Sequence, residues 1–367
     1  MKFLFRTLAL LTGILLLCAA YSGWLDPRVW ALPAVLGLAF PLVLAFAALV
    51  AVLCLIFRQW RALLVLGVSL LLAWPTVRLH TPLSGNKTVA DSLTTFRVMT
   101  YNVYGFDGDG ATMRYILKQD ADFVLLQEAS WGPMDFIDLP CHVDLREDIE
   151  RQYPFHSQGY HDLIILSKVP YNVVNDTTLK QGVIADDEID MGYHFYGKAF
   201  DVTWAGQPLR IVSTHLQSIG MDHSDRQLYR RLTNNDLEGR ADMSRVKNSL
   251  IGKLKGAYVR RAAEAQAVRT FINDTTTANS RNLVLCGDFN DTPASYCYRT
   301  IRGDDLQDAF AECGWGPTFT FNRDRLYFKI DHILYRGNLQ AVNYLCDREG
   351  QSDHYPQVVT FVLTKHE

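Results

Sequence analysis

The chain divides into two parts by the pattern of its apolar residues. Nearly all of the first 80 of its 367 residues are apolar, whereas the remainder mixes apolar and polar positions in the manner of a water-soluble protein. Three apolar runs, at about residues 3–21, 29–57 and 62–77, predict three membrane-spanning helices. The alternative, a soluble helical bundle, requires a polar face on each helix, and these runs have almost none. Residues 1–80 are therefore predicted to be a transmembrane region.

Charged residues around these runs predict the orientation. Basic side chains precede the first run and separate the second from the third: Lys2, Arg6, Arg58 and Arg61. The loop between the first and second runs carries Asp26 and Arg28, whose charges cancel. Basic loops remain on the cytoplasmic side of a membrane. We therefore expect an integral protein of the inner or plasma membrane whose soluble part is extracytoplasmic.

Residues 81–95 are polar and contain proline, glycine and serine, which predicts a linker. Beyond it, residues 96–367 contain many short apolar runs of strand length, few long helical stretches and no internal repeat. This pattern favours an α/β sandwich, in which two sheets pack together with helices outside them. The net charge of the whole chain is only −3, so bulk charge does not indicate a nucleic-acid partner.

One strand stands out in this soluble part. Residues 283–286 are four apolar residues in a row, and Gly287, Asp288 and Asn290 follow them. Residues two apart on an extended chain point to the same face, so the carboxylate and the carboxamide lie together. Such a pair suits a hard metal ion and a phosphate oxygen. The alternative is an ordinary Asx-turn before Pro293, in which Asp288 and Asn290 only bond the backbone.

Other apolar runs end in, or lead into, polar residues of the same chemical kind. These residues are Asn102, Glu128, His215, Asp331, Asp353 and His354. Each one alone has an ordinary explanation, as a turn residue, a helix-terminal carboxylate or a hydrogen-bonded core histidine. Charged groups at the ends of buried strands need one another or a metal ion, because an unpaired buried charge is costly. Together they therefore predict one active site.

The residues around these positions resemble the endonuclease/exonuclease/phosphatase superfamily, which has the DNase I-like fold. The resemblance covers about residues 96–363 and rests on motifs in the family's order: Tyr101-Asn102, Gln127-Glu128, Ser213-Thr214-His215, Gly287-Asp288-Phe289-Asn290, Ile330-Asp331-His332 and Ser352-Asp353-His354-Tyr355-Pro356. It implies a four-layered α/β sandwich, which in this chain follows the about three transmembrane helices predicted from the apolar runs. It also implies cleavage of phosphate esters that depends on Mg²⁺, with Mn²⁺ as a possible substitute.

The resemblance further implies a metal site and a water-activating group. Glu128 would be the main metal ligand, with Asn102 and Asp353 contacting the metal or its waters. Asp288 would orient or deprotonate the attacking water, and Asn290 would hold a phosphate oxygen. Asn102 is also expected to contact the substrate.

Two histidines are implied on the phosphate. His354 would contact the scissile phosphate, and Asp331 would fix its ring. His215 would act across the phosphate from it, as an acid or as a stabiliser of the transition state. Histidine suits proton transfer near neutral pH, which supports these assignments independently of the resemblance.

The substrate is less constrained, because the superfamily cleaves DNA, RNA, sphingomyelin and inositol phosphates. Residues 225–261 hold ten basic and four acidic side chains and would attract the phosphates of nucleic acid or of anionic lipid, unless they form a solvated helical insertion. Within them, Arg260 and Arg261 are the expected substrate contacts. We expect a membrane-tethered phosphodiesterase or nuclease without an obligate protein partner. The alternatives are a lipid head-group phosphodiesterase (sphingomyelinase-like), a phosphatase, or a non-catalytic binding module on the same fold.

Overall fold

The computed structural model describes most of the chain. It covers residues 2–90, 92–106, 108–129, 135–157, 162–174, 197–219, 240–273, 281–323, 326–348 and 351–364, with the side chains of the 240–273 helix described from residue 252 onward. Within the predicted basic segment 225–261, residues 225–239 lie outside the described residues.

The apolar N-terminal region forms four helices: α1 (Lys2–Ala20), α2 (Leu32–Leu38), α3 (Phe40–Ile56) and α4 (Trp60–His80). Helices α1 and α4 are long and apolar enough to cross a membrane, and α2 with α3 makes a third candidate if the pair counts as one span. The predicted run 29–57 is thus two helices, bent by 62°. Pro41 explains the break, because it lacks a backbone N–H and disfavours helical geometry at the residue before it.

The chain folds as two compact units. The first unit contains Met1–Arg78, Gln217–Ala265 and Thr292–Thr300, and the second contains the rest. The apolar core of the first unit joins α1, α3 and α4 to Ala294. Residues far apart in the chain therefore fold together with the N-terminal helices.

A short turn between α1 and α2 makes the closest contacts within this first unit. The Ser22 hydroxyl lies 3.0 Å from the carbonyl oxygen of Ala294. A Cβ atom on Gly23 would lie 2.6 Å from the carbonyl oxygen of Ser295, so only glycine fits there. The guanidinium of Arg299 stacks 3.5 Å above the centre of the Trp24 ring. These contacts fasten residues 294–299 to the turn.

The second unit contains fourteen strands in its described residues. They are β1 (Thr95–Asn102), β2 (Phe123–Gln127), β3 (Phe155–His156), β4 (Ile164–Ser167), β5 (Tyr171–Val174), β6 (Gly197–Trp204), β7 (Gln207–His215), β8 (Leu283–Asp288), β9 (Gln307–Asp308), β10 (Phe321–Arg323), β11 (Leu326–Phe328), β12 (Asp331–Arg336), β13 (Leu339–Cys346) and β14 (Gln357–Leu363). One six-stranded sheet has the order β13-β14-β1-β2-β4-β3, the other has the order β5-β6-β7-β8-β12-β9, and β10 with β11 forms a separate hairpin.

The two sheets pack face to face, as predicted for an α/β sandwich. Their shared core contains Phe96 and Leu125 from the first sheet and Phe200, Val284 and Ile333 from the second. The other face of the first sheet packs against helices in a second apolar cluster. The remaining helices are α5 (Ala111–Gln119), α6 (Arg146–Gln152), α7 (Arg240–Asn273), α8 (Tyr296–Arg302) and α9 (Ala309–Cys313).

Strand direction brings the predicted site residues to one edge of each sheet. Strand β1 runs parallel to β2, and β7 runs parallel to β8, so each pair ends at a common edge. Strand β12 runs antiparallel to β8 and therefore begins where β8 ends. Asn102 and His215 close their strands, while Asp331 opens its own. The polar residues gather at these edges because apolar residues fill the strands behind them.

The predicted linker forms hydrogen bonds with other residues of the second unit. The amide of Gly85 donates to the carbonyl of Gly314, and the amide of Lys87 donates to the carbonyl of Val342. The side chain of Asn86 accepts a hydrogen bond from the amide of Tyr344. These contacts hold residues 85–87 in place, so this part of the linker does not behave as a free tether.

Candidate active site

The register of the second sheet places three predicted residues in a row. His215 and Asp331, on the two strands that flank β8, are the register partners of Asp288. All three side chains therefore project near one point at the edge of the sheet. The pairing explains why residues more than 100 positions apart in the chain form one site.

Asn102 connects this row to the first sheet. Its side-chain nitrogen lies 3.0 Å from Oε1 of Glu128 and 3.2 Å from Oδ2 of Asp288. Its side-chain oxygen accepts a hydrogen bond from the amide of Tyr104. Asn102 thus donates to two carboxylates in this structure. A role as metal ligand requires its amide to turn, so that the oxygen faces the carboxylates.

His354 is held between two carboxylates. Its Nδ1 lies 2.9 Å from Oδ2 of Asp331, and its Nε2 lies 3.6 Å from Oδ2 of Asp288. A carboxylate on Nδ1 fixes the ring orientation and keeps the proton on that nitrogen when the ring is neutral. The structure therefore places Asp331 where a residue that orients His354 must lie.

His215 has a matching carboxylate that the sequence analysis missed. Its Nδ1 lies 2.9 Å from Oδ2 of Asp162, and its Nε2 lies 3.6 Å from Oε1 of Glu128 and 4.0 Å from Oδ2 of Asp288. The other oxygen of Asp162 accepts a hydrogen bond from the backbone amide of Glu128. Asp162 precedes β4, which runs antiparallel to β2, so the start of β4 lies beside the end of β2. The feature of the sequence that could have indicated Asp162 is its position just before a short apolar strand.

The backbone around the site has left-handed geometry at three of its residues. Gly287 has φ of 139°, and an added Cβ would lie 1.9 Å from the carbonyl oxygen of Thr214. Glu128 and Asn290 have φ of 52° and 51°, values that L-residues rarely adopt. Strained conformations of this kind occur where surrounding contacts hold functional side chains in fixed positions.

Burial and nearby charges shift the pKa values of Asp288, His354 and His215. Burial, together with the nearby charge of Asp331, raises the pKa of Asp288 to about 6, against the opposing effect of His354 and His215. Burial by itself lowers the pKa of His354, but the carboxylates of Asp331 and Asp288 raise it to about 9. In the same way, Asp162 overcomes burial and raises the pKa of His215 to about 10. At neutral pH the site thus holds two cationic histidines and a largely ionised aspartate.

Asn290 takes part in a turn as well as in the site. Its amide donates to Oδ1 of Asp288 at 2.7 Å, which is the Asx-turn considered as the alternative from the sequence. Its side-chain nitrogen donates to the carbonyl of Leu216 at 2.8 Å. The turn and the site are therefore compatible, since the same bond that closes the turn also directs the Asp288 carboxylate. A contact of Asn290 with a phosphate oxygen remains a prediction.

The side chains at the site have the chemistry that a divalent cation requires. Ligand atoms of Asp288, Asp331 and His354 lie within 4.8 Å of one another, but these three groups are buried and two of them bond each other. Glu128 is more open, with about a quarter of its side chain exposed. Mg²⁺ prefers oxygen ligands and keeps several waters, so the more open side around Glu128 suits it better.

Asp353 lies beside the site with a partner that the sequence did not indicate. Its Oδ2 lies 2.7 Å from Nη1 of Arg323. Its Oδ1 is buried and has no hydrogen-bond partner among the residues that the structure describes. A buried carboxylate oxygen without a donor is consistent with a ligand for a cation. The predicted metal role of Asp353 thus fits its surroundings.

The two predicted arginine contacts differ in exposure. Arg261 is 1% exposed, donates to the carbonyl of Gln217 and lies 4.9 Å above the ring of Tyr258. These contacts give Arg261 a packing role, because a fully buried guanidinium has no face left for a substrate. Arg260 is half-buried and remains a predicted substrate contact.

Comparison of the sequence with family models gives a match over most of the second unit. Residues 99–354 match the model of the "Endonuclease/Exonuclease/phosphatase family". The chain belongs to this family. Residues 2–80 match a separate domain model of unknown function. No curated protein matches the chain.

Several solved structures are similar to this chain at low sequence identity. The human Nocturnin catalytic domain with bound sulfate is 16% identical, with 76% of this chain and 98% of that chain covered and a TM-score of 0.46. A family protein from Bacteroides vulgatus is 18% identical, with 74% and 99% covered and a TM-score of 0.45. Danio rerio TDP2 complexed with single-strand DNA product is 15% identical, with 73% and 99% covered and a TM-score of 0.44. Similarity at this level concerns the fold and does not indicate a substrate.

Family membership makes this constellation a candidate phosphoesterase site. The structure brings together six of the predicted residues through direct side-chain contacts: Asn102, Glu128, His215, Asp288, Asp331 and His354. Asp162 is the carboxylate that contacts His215, and Asp353 lies next to His354 in the chain.

Proposed function

We propose that this protein is a membrane-tethered, divalent-metal-dependent phosphoesterase that hydrolyses phosphodiesters by attack of water. The observation that carries the proposal is the arrangement of two histidines around Asp288. Each ring contacts its own carboxylate through Nδ1, and the Nε2 atoms of His354 and His215 lie 3.6 and 4.0 Å from Oδ2 of Asp288. A phosphodiester is anionic, so its hydrolysis requires cationic groups, a base for water and an acid for the leaving oxygen. The site contains candidates for all three roles.

The shifted pKa values of Asp288, His354 and His215 support the following proposed roles. Asp288, with a pKa of about 6, is ionised at neutral pH yet basic enough to accept a proton from water. His354 and His215, with pKa values of about 9 and 10, carry protons at that pH. They therefore suit contact with the phosphate oxygens and protonation of the leaving group. Asn290 is the proposed donor to a further phosphate oxygen.

Glu128 and Asp353, with Asn102 after rotation of its amide, are the proposed ligands of Mg²⁺ or Mn²⁺. Such an ion would neutralise phosphate charge and polarise the ester when bound. Removal of divalent ions with EDTA is expected to abolish activity, and addition of Mg²⁺ or Mn²⁺ to restore it. Full activity in EDTA would contradict the proposed metal dependence.

We also propose that the N-terminal helices span a membrane and that the catalytic residues lie outside the cytoplasm. The contacts of Ser22 with Ala294 and of Trp24 with Arg299 support this orientation. They favour a common side of the membrane for the turn between α1 and α2 and for residues 294–299, which follow the Asp288 strand in the chain. The basic residues at Lys2 and Arg58 would then lie on the opposite, cytoplasmic side.

The membrane region favours a second candidate substrate. A membrane tether would keep the catalytic residues near lipid head groups, so a lipid head-group phosphate would be as accessible as external nucleic acid. We keep nuclease activity as the first candidate, on the breadth of the family, and lipid head-group phosphodiesterase or phosphatase activity as the second.

The test uses the full-length chain in detergent with Mn²⁺ and three substrates: bis(p-nitrophenyl) phosphate, supercoiled plasmid, and mixed micelles of phosphatidylcholine. Wild type is compared with His354→Ala, and Arg151→Gln, a change in an exposed ion pair, is the matched control. We expect His354→Ala to reduce hydrolysis at least about 100-fold and Arg151→Gln to have no effect.

The pattern of substrates then separates the candidates. Plasmid nicking that His354→Ala loses would support a nuclease. Release of a head group from the micelles, with intact plasmid, would support the lipid candidate. A folded wild-type protein that hydrolyses none of the three substrates would contradict the proposed function.

A further inference from the structure

Arg323 forms an ion pair with a carboxylate that we assign to metal binding. It is the last residue of β10, and its Nη1 lies 2.7 Å from Oδ2 of Asp353. Its Nη2 lies 3.2 Å from the hydroxyl of Tyr104, and its guanidinium lies 4.9 Å above the Tyr104 ring. The local sequence around Arg323 does not indicate that it contacts a carboxylate of the site.

The ion pair is not needed to hold the β10–β11 hairpin in place. The backbone amide of Asn322 donates to the carbonyl of Asp353, and the amide of Tyr355 donates to the carbonyl of Thr320. The ring of Phe321 also packs against the ring of His354, with centroids 5.0 Å apart. These contacts fix the hairpin to residues 353–355 without the guanidinium. The side chain of Arg323 is therefore available for a role other than packing.

Arg323 contacts one of the two carboxylate oxygens of Asp353. One of its oxygens accepts from Arg323, while the other is buried and has no hydrogen-bond partner among the described residues. A single carboxylate cannot fully neutralise both a guanidinium and a divalent cation. Binding of a cation to Asp353 must therefore weaken its attraction for Arg323, and the reverse also holds.

Arg323 can change partners without losing its position. About 28% of its side chain is exposed, so an anion from solvent can reach it. The hydroxyl and the ring of Tyr104 continue to hold the guanidinium when Asp353 turns to a cation. A guanidinium with free N–H groups binds phosphate oxygens through two parallel hydrogen bonds, which is its preferred mode of anion recognition.

We propose that Arg323 competes with the divalent cation for Asp353 and, once the cation is bound, contacts a phosphate oxygen of the substrate. This inference rests on the proposed function, and it adds a residue that links metal binding to substrate binding. The cation and the substrate then bind cooperatively, because the cation releases the arginine that the phosphate needs. Arg323 is thus a substrate-binding residue that Asp353 restrains.

The first experiment measures binding of Mn²⁺ alone, by titration calorimetry on the full-length protein in detergent. Three variants are compared with wild type: Arg323→Gln, which removes the charge, Arg323→Lys, which keeps it, and Arg151→Gln, which removes a charge from an exposed ion pair elsewhere. We expect Arg323→Gln to bind Mn²⁺ about three- to fivefold more tightly than wild type. Arg323→Lys and Arg151→Gln are expected to bind it about as wild type does.

The second experiment measures steady-state hydrolysis of bis(p-nitrophenyl) phosphate at saturating Mn²⁺. Loss of a phosphate contact is expected to raise KM of Arg323→Gln about tenfold, with a smaller change in kcat, and Arg323→Lys is expected to restore part of the loss. A circular dichroism spectrum and a thermal unfolding midpoint equal to those of wild type confirm that each variant is folded.

Two results would overturn the inference. Unchanged or weaker Mn²⁺ binding by Arg323→Gln would show that the arginine does not compete with the cation. An unchanged KM would show that it does not contact the substrate. The binding measurement stands even if wild type has no activity on this ester, so failure of the proposed function and failure of this inference are distinguishable.

Discussion

At the scale of single residues, the site depends on how each titratable group is paired. Asp288 lies within 4.0 Å of both histidine rings, and each ring is held from behind by its own carboxylate. Asp331 performs this task for His354, and Asp162 performs it for His215. The pairing raises the pKa values of both imidazoles to about 9 and 10, and Asp288 is the proposed basic group.

Replacement of Asp162 by asparagine tests the His215 pair. The amide preserves the shape of the side chain but removes the charge that raises the pKa of His215. We expect kcat on bis(p-nitrophenyl) phosphate to fall about 10- to 100-fold, and the alkaline limb of its pH profile to move to lower pH. Asp148→Asn, in an exposed ion pair, is the control and should behave as wild type. A lower kcat with an unmoved alkaline limb would argue against this role.

A third histidine, His332, is buried in the core directly behind the site. His332 follows Asp331; its Nε2 lies 2.9 Å from the carbonyl oxygen of Asp291, and its Nδ1 lies 2.9 Å from Nζ of Lys329. Nε2 therefore donates to the carbonyl while Nδ1 accepts from the ammonium, which requires a neutral ring. Burial and the charge of Lys329 accordingly hold the pKa of His332 well below 6.5.

This arrangement predicts a loss of stability in mild acid. The folded protein resists protonation of His332, whereas the unfolded chain takes up the proton below about pH 6.5. The contribution of His332 to stability is therefore present above that pH and declines as the pH falls below it. We expect a change from pH 7 to pH 5 to affect the thermal unfolding midpoint in detergent less favourably in wild type than in His332→Gln, which keeps a donor and an acceptor. The comparison with this variant is needed because the raised pKa values of Asp288, His354 and His215 act in the opposite direction. Equal slopes in both proteins would exclude His332 as a source of the pH dependence.

At the scale of elements, the register between strands positions the chemistry. Strand β8 lies between β7 and β12, and Asp288 is the register partner of one residue on each. A slip of one residue in either pairing would turn the site side chains to the opposite face. Gly287 is central to this register, since the carbonyl of Thr214 occupies the space where a side chain would be.

Replacement of Gly287 by alanine is expected to destabilise the second unit by at least about 3 kcal/mol. The new methyl group would meet a backbone atom that is held in the sheet, and the φ of 139° is unfavourable for any residue with a Cβ. The measurement is the thermal unfolding midpoint of the full-length protein in detergent. Gly252→Ala, in a helix and with open space around the added Cβ, is the control and should be neutral or slightly stabilising. A wild-type midpoint for Gly287→Ala would contradict the steric argument.

At the scale of the whole molecule, the N-terminal helices pack against residues from much later in the chain. Ala294 lies in the same apolar core as α1, α3 and α4, and Arg299 stacks on Trp24. The segment that contains Ala294 and Arg299 begins only two residues after Asn290. Loss of the helices would leave it without its apolar partners.

A chain that begins at residue 88 is therefore expected to be less stable and less active than the full-length protein. Truncation exposes Ala294 and removes the partner of Arg299, and it also removes the Gly85 contact with Gly314. The comparison is hydrolysis of bis(p-nitrophenyl) phosphate per folded protein, with the unfolding midpoint measured in parallel. Equal values for the two proteins would show that the helices serve only as an anchor.

The proposed orientation is tested by insertion of a protease site after Trp30, in the turn between α1 and α2, or after Gln59, between α3 and α4. Protease added outside intact inner-membrane vesicles of native orientation should cleave at the first position only. Cleavage at Gln59 alone would reverse the topology. Cleavage at both would show that the helices do not cross the membrane.

The sequence by itself determined the class of the fold and most of the site. Alternating and continuous apolar runs predicted the strands, since burial of apolar surface drives their formation. The run 283–286 was predicted as a strand, and the structure confirms it within β8 (Leu283–Asp288). The polar residues at the strand ends identified one site because isolated buried charges are too costly to occur by chance.

Only the tertiary structure decided which groups touch. Asp162 and Arg323 have ordinary sequence surroundings, and their roles depend on strand direction and on a hairpin that packs against residues 353–355. Arg261 was an expected substrate contact, and the fold buries it against Tyr258 and Gln217. The physical reason is that charge and hydropathy act locally along the chain, whereas distances between side chains depend on strand register and packing across the whole fold.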